Sequence, residues 1–169
     1  FYHCYGIMIL INEEGESMSV LRYEIINLEE MDYIGYKVEV PLNDVESVNF
    51  KSLWNKVMSE YIIDEDEFYI GYQDYESFTG KSFFYYALAP MRDYCSDENR
   101  EVITIPRGRY YKYDSVLHSH GPEFFNSVYG NLKRKGIIHD STYDMELIPK
   151  SFSYENPESV LYIAVREKY

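Results

Sequence analysis

The sequence predicts an α+β fold in which a strand-helix-strand-strand unit is given twice, forming an antiparallel sheet with two helices on one face and a central cleft. Three observations lead there. Several stretches alternate with period two and are rich in tyrosine and β-branched residues, the pattern of strands. Two other segments switch to helical spacing, each with a single apolar stripe. Both kinds of segment stand in the same order in each half, on either side of the polar, turn-rich residues 91–100. The order of elements carries the duplication, since residue identity between the halves is weak. A chain of 169 residues is most simply one domain with a real core.

The elements follow in turn. Leu21-Arg-Tyr-Glu-Ile-Ile-Asn27 reads as a short first strand. Tyr33-Ile-Gly-Tyr-Lys-Val-Glu-Val40 alternates and stops at Pro41, giving a second. From Val48 the period changes: Phe50, Leu53, Trp54, Val57 and Tyr61 recur on one helical face. Glu67-Phe-Tyr-Ile-Gly-Tyr-Gln73 and Ser82-Phe-Phe-Tyr-Tyr-Ala-Leu-Ala89 are strands again, parted by a loop at Gly80. In the second half Glu101-Val-Ile-Thr-Ile105 ends at Pro106, and Arg107-Gly108 turns into a strand over 109–114. Pro122 suits a first helical position, where its missing N–H costs nothing. Phe124, Phe125, Val128 and Leu132 form the buried stripe behind it. Lys133, Arg134 and Lys135 complement the negative end of the helix dipole, and Gly136 supplies a left-handed cap. Residues 142–148 and 159–167 are the closing strands.

Residues 1–17 are expected to be an extension that is not native, ahead of a single domain over 18–169. Asn12-Glu-Glu-Gly-Glu-Ser-Met18 is what a bacterial ribosome-binding site translated in frame would encode, which makes Met18 the expected start. The alternative is that Ile7-Met-Ile-Leu-Ile11 is a true added strand.

Composition excludes several classes. With 46% hydrophobic residues the chain is not disordered. A net charge of −13 repels nucleic-acid phosphates and favours cationic partners, so no direct binding to DNA or RNA is expected. Two cysteines, Cys4 and Cys95, form no disulfide framework or metal spacing and fit a reducing cytoplasm. No apolar run approaches the roughly 20 residues that span a membrane. His118-x-His120 lacks a third ligand at useful spacing, so no metal is expected. No phosphate-cradling glycine loop or nucleophile-base arrangement implies a cofactor or an obvious enzyme. Twenty tyrosines stand out. Strand packing accounts for most of them, and a ring-lined pocket for some.

The order of motifs resembles the GyrI-like effector-binding domains, a fold also described as SOUL-like. These occur alone as gyrase-inhibitory proteins and as C-terminal sensing domains of AraC- and MerR-type transcription activators. The resemblance rests on Ile105-Pro-Arg-Gly-Arg-Tyr110, on Gly121-Pro122 with Glu123-Phe-Phe-Asn-Ser127, on Tyr143-Asp-Met-Glu146, and on Phe84-Tyr-Tyr-Ala-Leu-Ala89. It covers most of the chain. It implies a cleft for lipophilic, often cationic compounds, with Glu146 as the acid that reads the cation. Leu147-Ile148 stands where many members carry an aromatic residue two places after the glutamate.

Strand parity puts Met145 and Leu147 on one face and Asp144, Glu146 and Ile148 on the other. We expect the helices on the Met145 side, leaving Glu146 and Ile148 to the groove. A carboxylate in an apolar groove is expected to have a raised pKa until a cation arrives. The alternative for Glu146 is a salt bridge to Arg109 or Lys112. Ring candidates for the cleft are Trp54, Tyr69, Tyr85, Tyr110, Tyr113 and Tyr162, with core packing the alternative for each. The expected partner is a small amphipathic or cationic aromatic molecule. DNA gyrase or a separate regulator chain are further partners implied by the resemblance. A third implied role is hydrolysis of strained electrophilic natural products, with Glu146 as general base.

Overall fold

The computed structural model describes residues 4–11, 17–92 and 99–168, and side chains from residue 21 onward. Residues 12–16 of the Asn12–Met18 segment read as a translated ribosome-binding site, and Cys95, lie outside these. Nine strands are seen among the described residues: β1 (Cys4–Ile11), β2 (Ser17–Leu28), β3 (Met31–Pro41), β4 (Phe68–Asp74), β5 (Ser82–Pro90), β6 (Glu101–Ile105), β7 (Gly108–Val116), β8 (Tyr143–Pro149) and β9 (Val160–Arg166). Helix α1 (Phe50–Glu60) separates β3 from β4, and α2 (Pro122–Arg134) separates β7 from β8.

The helices form where the local signals place them. Asn49 caps α1 by accepting from the Ser52 backbone N–H at 2.9 Å, and Trp54 and Val57 face inward. Pro122 opens α2, Val128 and Leu132 are fully buried, and Gly136 takes φ 68° just past its end.

All pairings are antiparallel, and the sheet order is β1-β2-β7-β9-β8-β4-β5-β3-β6. From β2 to β6 this order is a palindrome under exchange of the halves: β2 matches β6, β7 matches β3, β9 matches β5, and β8 matches β4. The first strand of each unit therefore crosses to pair with the other unit. The strand order also dictates curvature. Two residues join β2 to β3, which stand six strand spacings apart, about 29 Å on a flat sheet. Three Cα steps reach only about 11 Å. The same conflict holds for β6 and β7, so the sheet must curl until its ends meet.

The curl makes two unlike faces. Inside it, Met145, Leu147, Ile70, Leu88, Tyr110 and Tyr143 pack with Ile26 and Leu28 of β2 and with Ile103 and Ile105 of β6. The opposite face carries both helices. There α1 packs Trp54 and Val57 on Tyr69, Tyr85, Ala87 and Ile148. There too α2 packs Val128 and Leu132 on Tyr111, Tyr113, Ile163 and Val165. The parity along β8 is as expected, but the assignment of faces is reversed. Met145 and Leu147 line the helix-free interior of the curl, and Glu146 shares its face with the helices. The reason is that a curled sheet fills its own concave side and needs no helix there.

Candidate functional site

The site lies at the molecule's pseudo-twofold axis. Strands β4 and β8 are each seven residues long and pair from end to end, Phe68 with Pro149 and Asp74 with Tyr143. Their midpoints, Gly71 and Glu146, therefore face each other. The two helices stand on either side of this pair and leave a gap above it. A cavity of about 520 Å³ opens in that gap.

Glu146 projects from β8 into the cavity wall and is only 8% exposed. Its Oε2 accepts from the Tyr85 hydroxyl at 2.6 Å. Its Oε1 stands 3.0 Å from His120 Nε2 and 3.4 Å from Gln73 Nε2. A side chain on Gly71 would destroy this arrangement, because an added Cβ would lie 2.4 Å from both Glu146 Oε2 and the Tyr85 hydroxyl. The carboxylate thus occupies space that its symmetry mate leaves empty. Behind it, the Trp54 indole N–H donates to the Tyr85 hydroxyl at 3.2 Å, and His120 Nδ1 meets Ser115 Oγ at 3.1 Å.

Burial works to raise the Glu146 pKa, but His120, Tyr85 and Gln73 outweigh it and hold the group below its ordinary value. The rise expected from burial alone is therefore reversed, because the acid sits among donors. A depressed pKa also makes Glu146 a weaker general base, which counts against the hydrolytic alternative. The suggested salt bridges form elsewhere: Arg109 pairs with Glu167 and Lys112 with Glu24. Burial and the nearby carboxylate drive the Tyr85 hydroxyl well above the usual tyrosine range, so it stays a donor.

A second carboxylate lines the same cavity. Asp144 is 3% exposed, and its Oδ2 accepts from Tyr75 at 2.7 Å and from Tyr129. Burial, the largest effect, raises its pKa in spite of these two hydroxyls. The Tyr75 hydroxyl, whose one proton is shared between Asp144 Oδ2 and Gln73 Oε1 at 3.0 Å, stands with Gln73 between the two acids. The rings of Phe50, Phe83, Phe125 and Tyr154 complete the wall, and no lysine or arginine among the described residues lines it.

Of the eight expected site residues, Glu146 and Tyr85 line this cavity. Trp54 sits one layer back, holding Tyr85. Tyr69 and Ile148 lie on the correct face but are sealed under α1, with the Tyr69 hydroxyl bonded to the Tyr61 carbonyl at 2.7 Å. Tyr113 lies under α2, donating to Asn131 Oδ1 at 2.8 Å. Tyr110 and Tyr162 are on the opposite face. Tyr110 bonds Pro106 O and Tyr143 there, and Tyr162 packs edge-on against Phe68 and under Lys112. Sequence parity found the cavity face of Glu146, Tyr85, Tyr69, Ile148 and Tyr113 but not that of Tyr110 and Tyr162, nor which parts of the face the helices cover. The residues missed are His120, Gln73, Asp144, Tyr75, Tyr129, Tyr154, Phe50, Phe83 and Phe125. Two signals pointed to some of them. Gln73 and Gly71 alternate with Tyr69 on β4, and His120 directly precedes the Gly121-Pro122 start of α2, the end of the helix that lines the cavity.

Residues 24–165 match the family model of the integron-associated effector binding protein, Cass2. No curated protein matches the chain. Among solved structures, SAV2435 bound to tetraphenylphosphonium superposes with TM-score 0.64 at 11% identity, over 86% of this chain and 93% of that one. The integron cassette protein VCH_CASS2 of Vibrio cholerae gives 0.52 at 15% identity, over 86% and 95%. EcmrR, solved in a complex with DNA, gives 0.61 at 10% identity, over 88% of this chain and 57% of that one. At such identities these likenesses establish the shared fold. Among the described residues no helix is long and apolar enough to cross a membrane.

Proposed function

The chain belongs to the integron-associated effector-binding family, whose members bind small molecules, and on that premise we propose that its cavity takes up lipophilic cations bearing aromatic rings, for sensing or sequestration. One observation carries the proposal: a buried carboxylate, held in its charged form, in the wall of a ring-lined cavity that no lysine or arginine among the described residues enters. An anion so placed attracts a unit cation at about 4 Å by about 4 kcal/mol before desolvation is subtracted. Rings such as Phe50, Tyr85, Phe125 and Tyr154 add about 0.5–2 kcal/mol each when the cation lies over their faces. Charge and flatness are read while shape stays loose, which suits a family of related compounds. The tetraphenylphosphonium bound to SAV2435 is a ligand of this chemistry and supports the choice of probe.

The test is titration with tetraphenylphosphonium, followed by melting temperature and calorimetry. The wild-type protein is expected to melt higher with saturating cation, and Glu146→Gln to bind at least about tenfold more weakly. A wild-type protein indifferent to tetraphenylphosphonium, or a Gln variant that binds as well, refutes the proposal.

A further inference from the structure

The cavity has a second anionic end. Asp144 lies two residues from Glu146 on the same face of β8, so the two carboxylates arise about 7 Å apart along the strand. Each has its own surroundings. Glu146 is saturated, with His120 and Gln73 on one oxygen and Tyr85 on the other. Asp144 is 3% exposed and lines the cavity, and only its Oδ2 is engaged, by Tyr75 and Tyr129. Among the described residues nothing donates to Asp144 Oδ1. The groups that bear on Asp144 are these two tyrosines, Glu146, and His139, whose ring stacks on Tyr129 at 5.1 Å.

We propose that the preferred ligands of this cavity are flat aromatic dications, with one positive charge over Glu146 and the second over Asp144. This rests on the reading that the cavity binds lipophilic cations and goes further by naming their charge. A monocation leaves one buried carboxylate without a counter-charge, and a buried unpaired charge is costly. A ligand with two charges at strand-like separation meets both acids at once and gives the free Asp144 oxygen its partner. The rings that line the cavity with the two acids, Tyr75 and Tyr85 among them, meet the ligand's aromatic body. Tyr85 and His120 hold Glu146, and Tyr75 and Tyr129 hold Asp144, so little ordering of the acids is needed on binding.

Two probes of one shape separate charge from fit. Methyl viologen and 1-methyl-4-phenylpyridinium share a two-ring body, and the first carries two charges where the second carries one. Calorimetric titration of the wild-type protein is expected to show methyl viologen binding at least about tenfold tighter. In Asp144→Asn that advantage is expected to fall below about threefold. Equal or weaker binding of methyl viologen in a wild-type protein that still binds tetraphenylphosphonium overturns the dication preference and leaves the broader proposal standing. An advantage that survives intact in Asp144→Asn assigns the second charge elsewhere and overturns it too. Failure of all three cations to bind removes both proposals together. The wild-type comparison alone decides the matter if the variant does not fold.

Discussion

Gly71 and Glu146 hold the same place in the two halves of this molecule, the midpoint of β4 and the midpoint of β8. One has no side chain and the other has the buried acid. On the axis between two like halves there is room for a single side chain, and an acid on both strands would set two like charges in contact. The halves differ in the same sense around the rest of the cavity. The first supplies Phe50, Phe83, Tyr75 and Tyr85, rings and hydroxyls without charge. The second supplies His120, Asp144 and Glu146, with Phe125 and Tyr129 beside them. A duplicated frame therefore became a binding site by losing its symmetry: both halves supply rings and donors, and only the second carries the acids.

The largest break in this comparison comes from the helix anchors. Helix α1 is seated by Trp54 and Val57, and the Trp54 indole also supports Tyr85, whereas α2 is seated by Val128, Asn131 and Leu132. Trp54→Ala is expected to cost about 3–5 kcal/mol in urea unfolding. It should also weaken tetraphenylphosphonium binding, because Tyr85 loses its rear donor. Leu132→Ala is expected to cost about 2–5 kcal/mol with less effect on binding. Equal effects of the two on affinity would show that the first half's ring scaffold has no special part in the site.

A smaller break comes at the axis. Gly71→Ala forces Glu146 and Tyr85 aside in a packed interior, with an expected cost of about 1–3 kcal/mol. Cation affinity should fall with it. Unchanged stability and affinity would mean that the space opposite Glu146 is not needed.

The finest comparison is between the two acids, whose pKa values move in opposite directions. The lowered pKa of Glu146 gives stability that is present above the ordinary glutamate value of 4.5 and is lost as pH falls through its folded value. Glu146→Gln should therefore trail the wild type most at neutral pH, with the gap closing in acid. The raised pKa of Asp144 has the reverse sign. Its ionisation costs stability above the folded value, and that cost disappears as pH falls towards the ordinary 3.8. Asp144→Asn should gain on the wild type at neutral pH and lose the gain in acid. Unfolding midpoints measured across pH for both variants check the two signs, and parallel curves would contradict the assignment.

Much of the frame was legible in the chain. Pro122 and Gly136 bracket α2 by backbone chemistry alone, and the stripe through Trp54 and Val57 reads directly as one helical face. Period-two alternation found eight of the strands and the two-sided parity of β8. The site was only partly legible. Tyr110 and Tyr162 have the same chemistry as Tyr85, and nothing local says that they face the inside of the curl. Tyr75 and Tyr154 lie outside the regular strands, where parity has no force, and reach the cavity only because the chain ends its turns there. The pKa of Glu146 is not legible in the chain for a related reason. Burial can be guessed from an apolar strand, but the donors that reverse its effect come from β4, β5 and the turn before α2.

The sequence by itself determined where the chain is strand and where it is helix, since those states depend on side-chain period and on backbone groups within a few residues. It also determined that an acid and its neighbours alternate across β8. The tertiary structure alone decided which of those faces the helices cover and which acid is charged. Both depend on two short connections pulling the ends of a long sheet together, so that residues distant in sequence meet around one carboxylate.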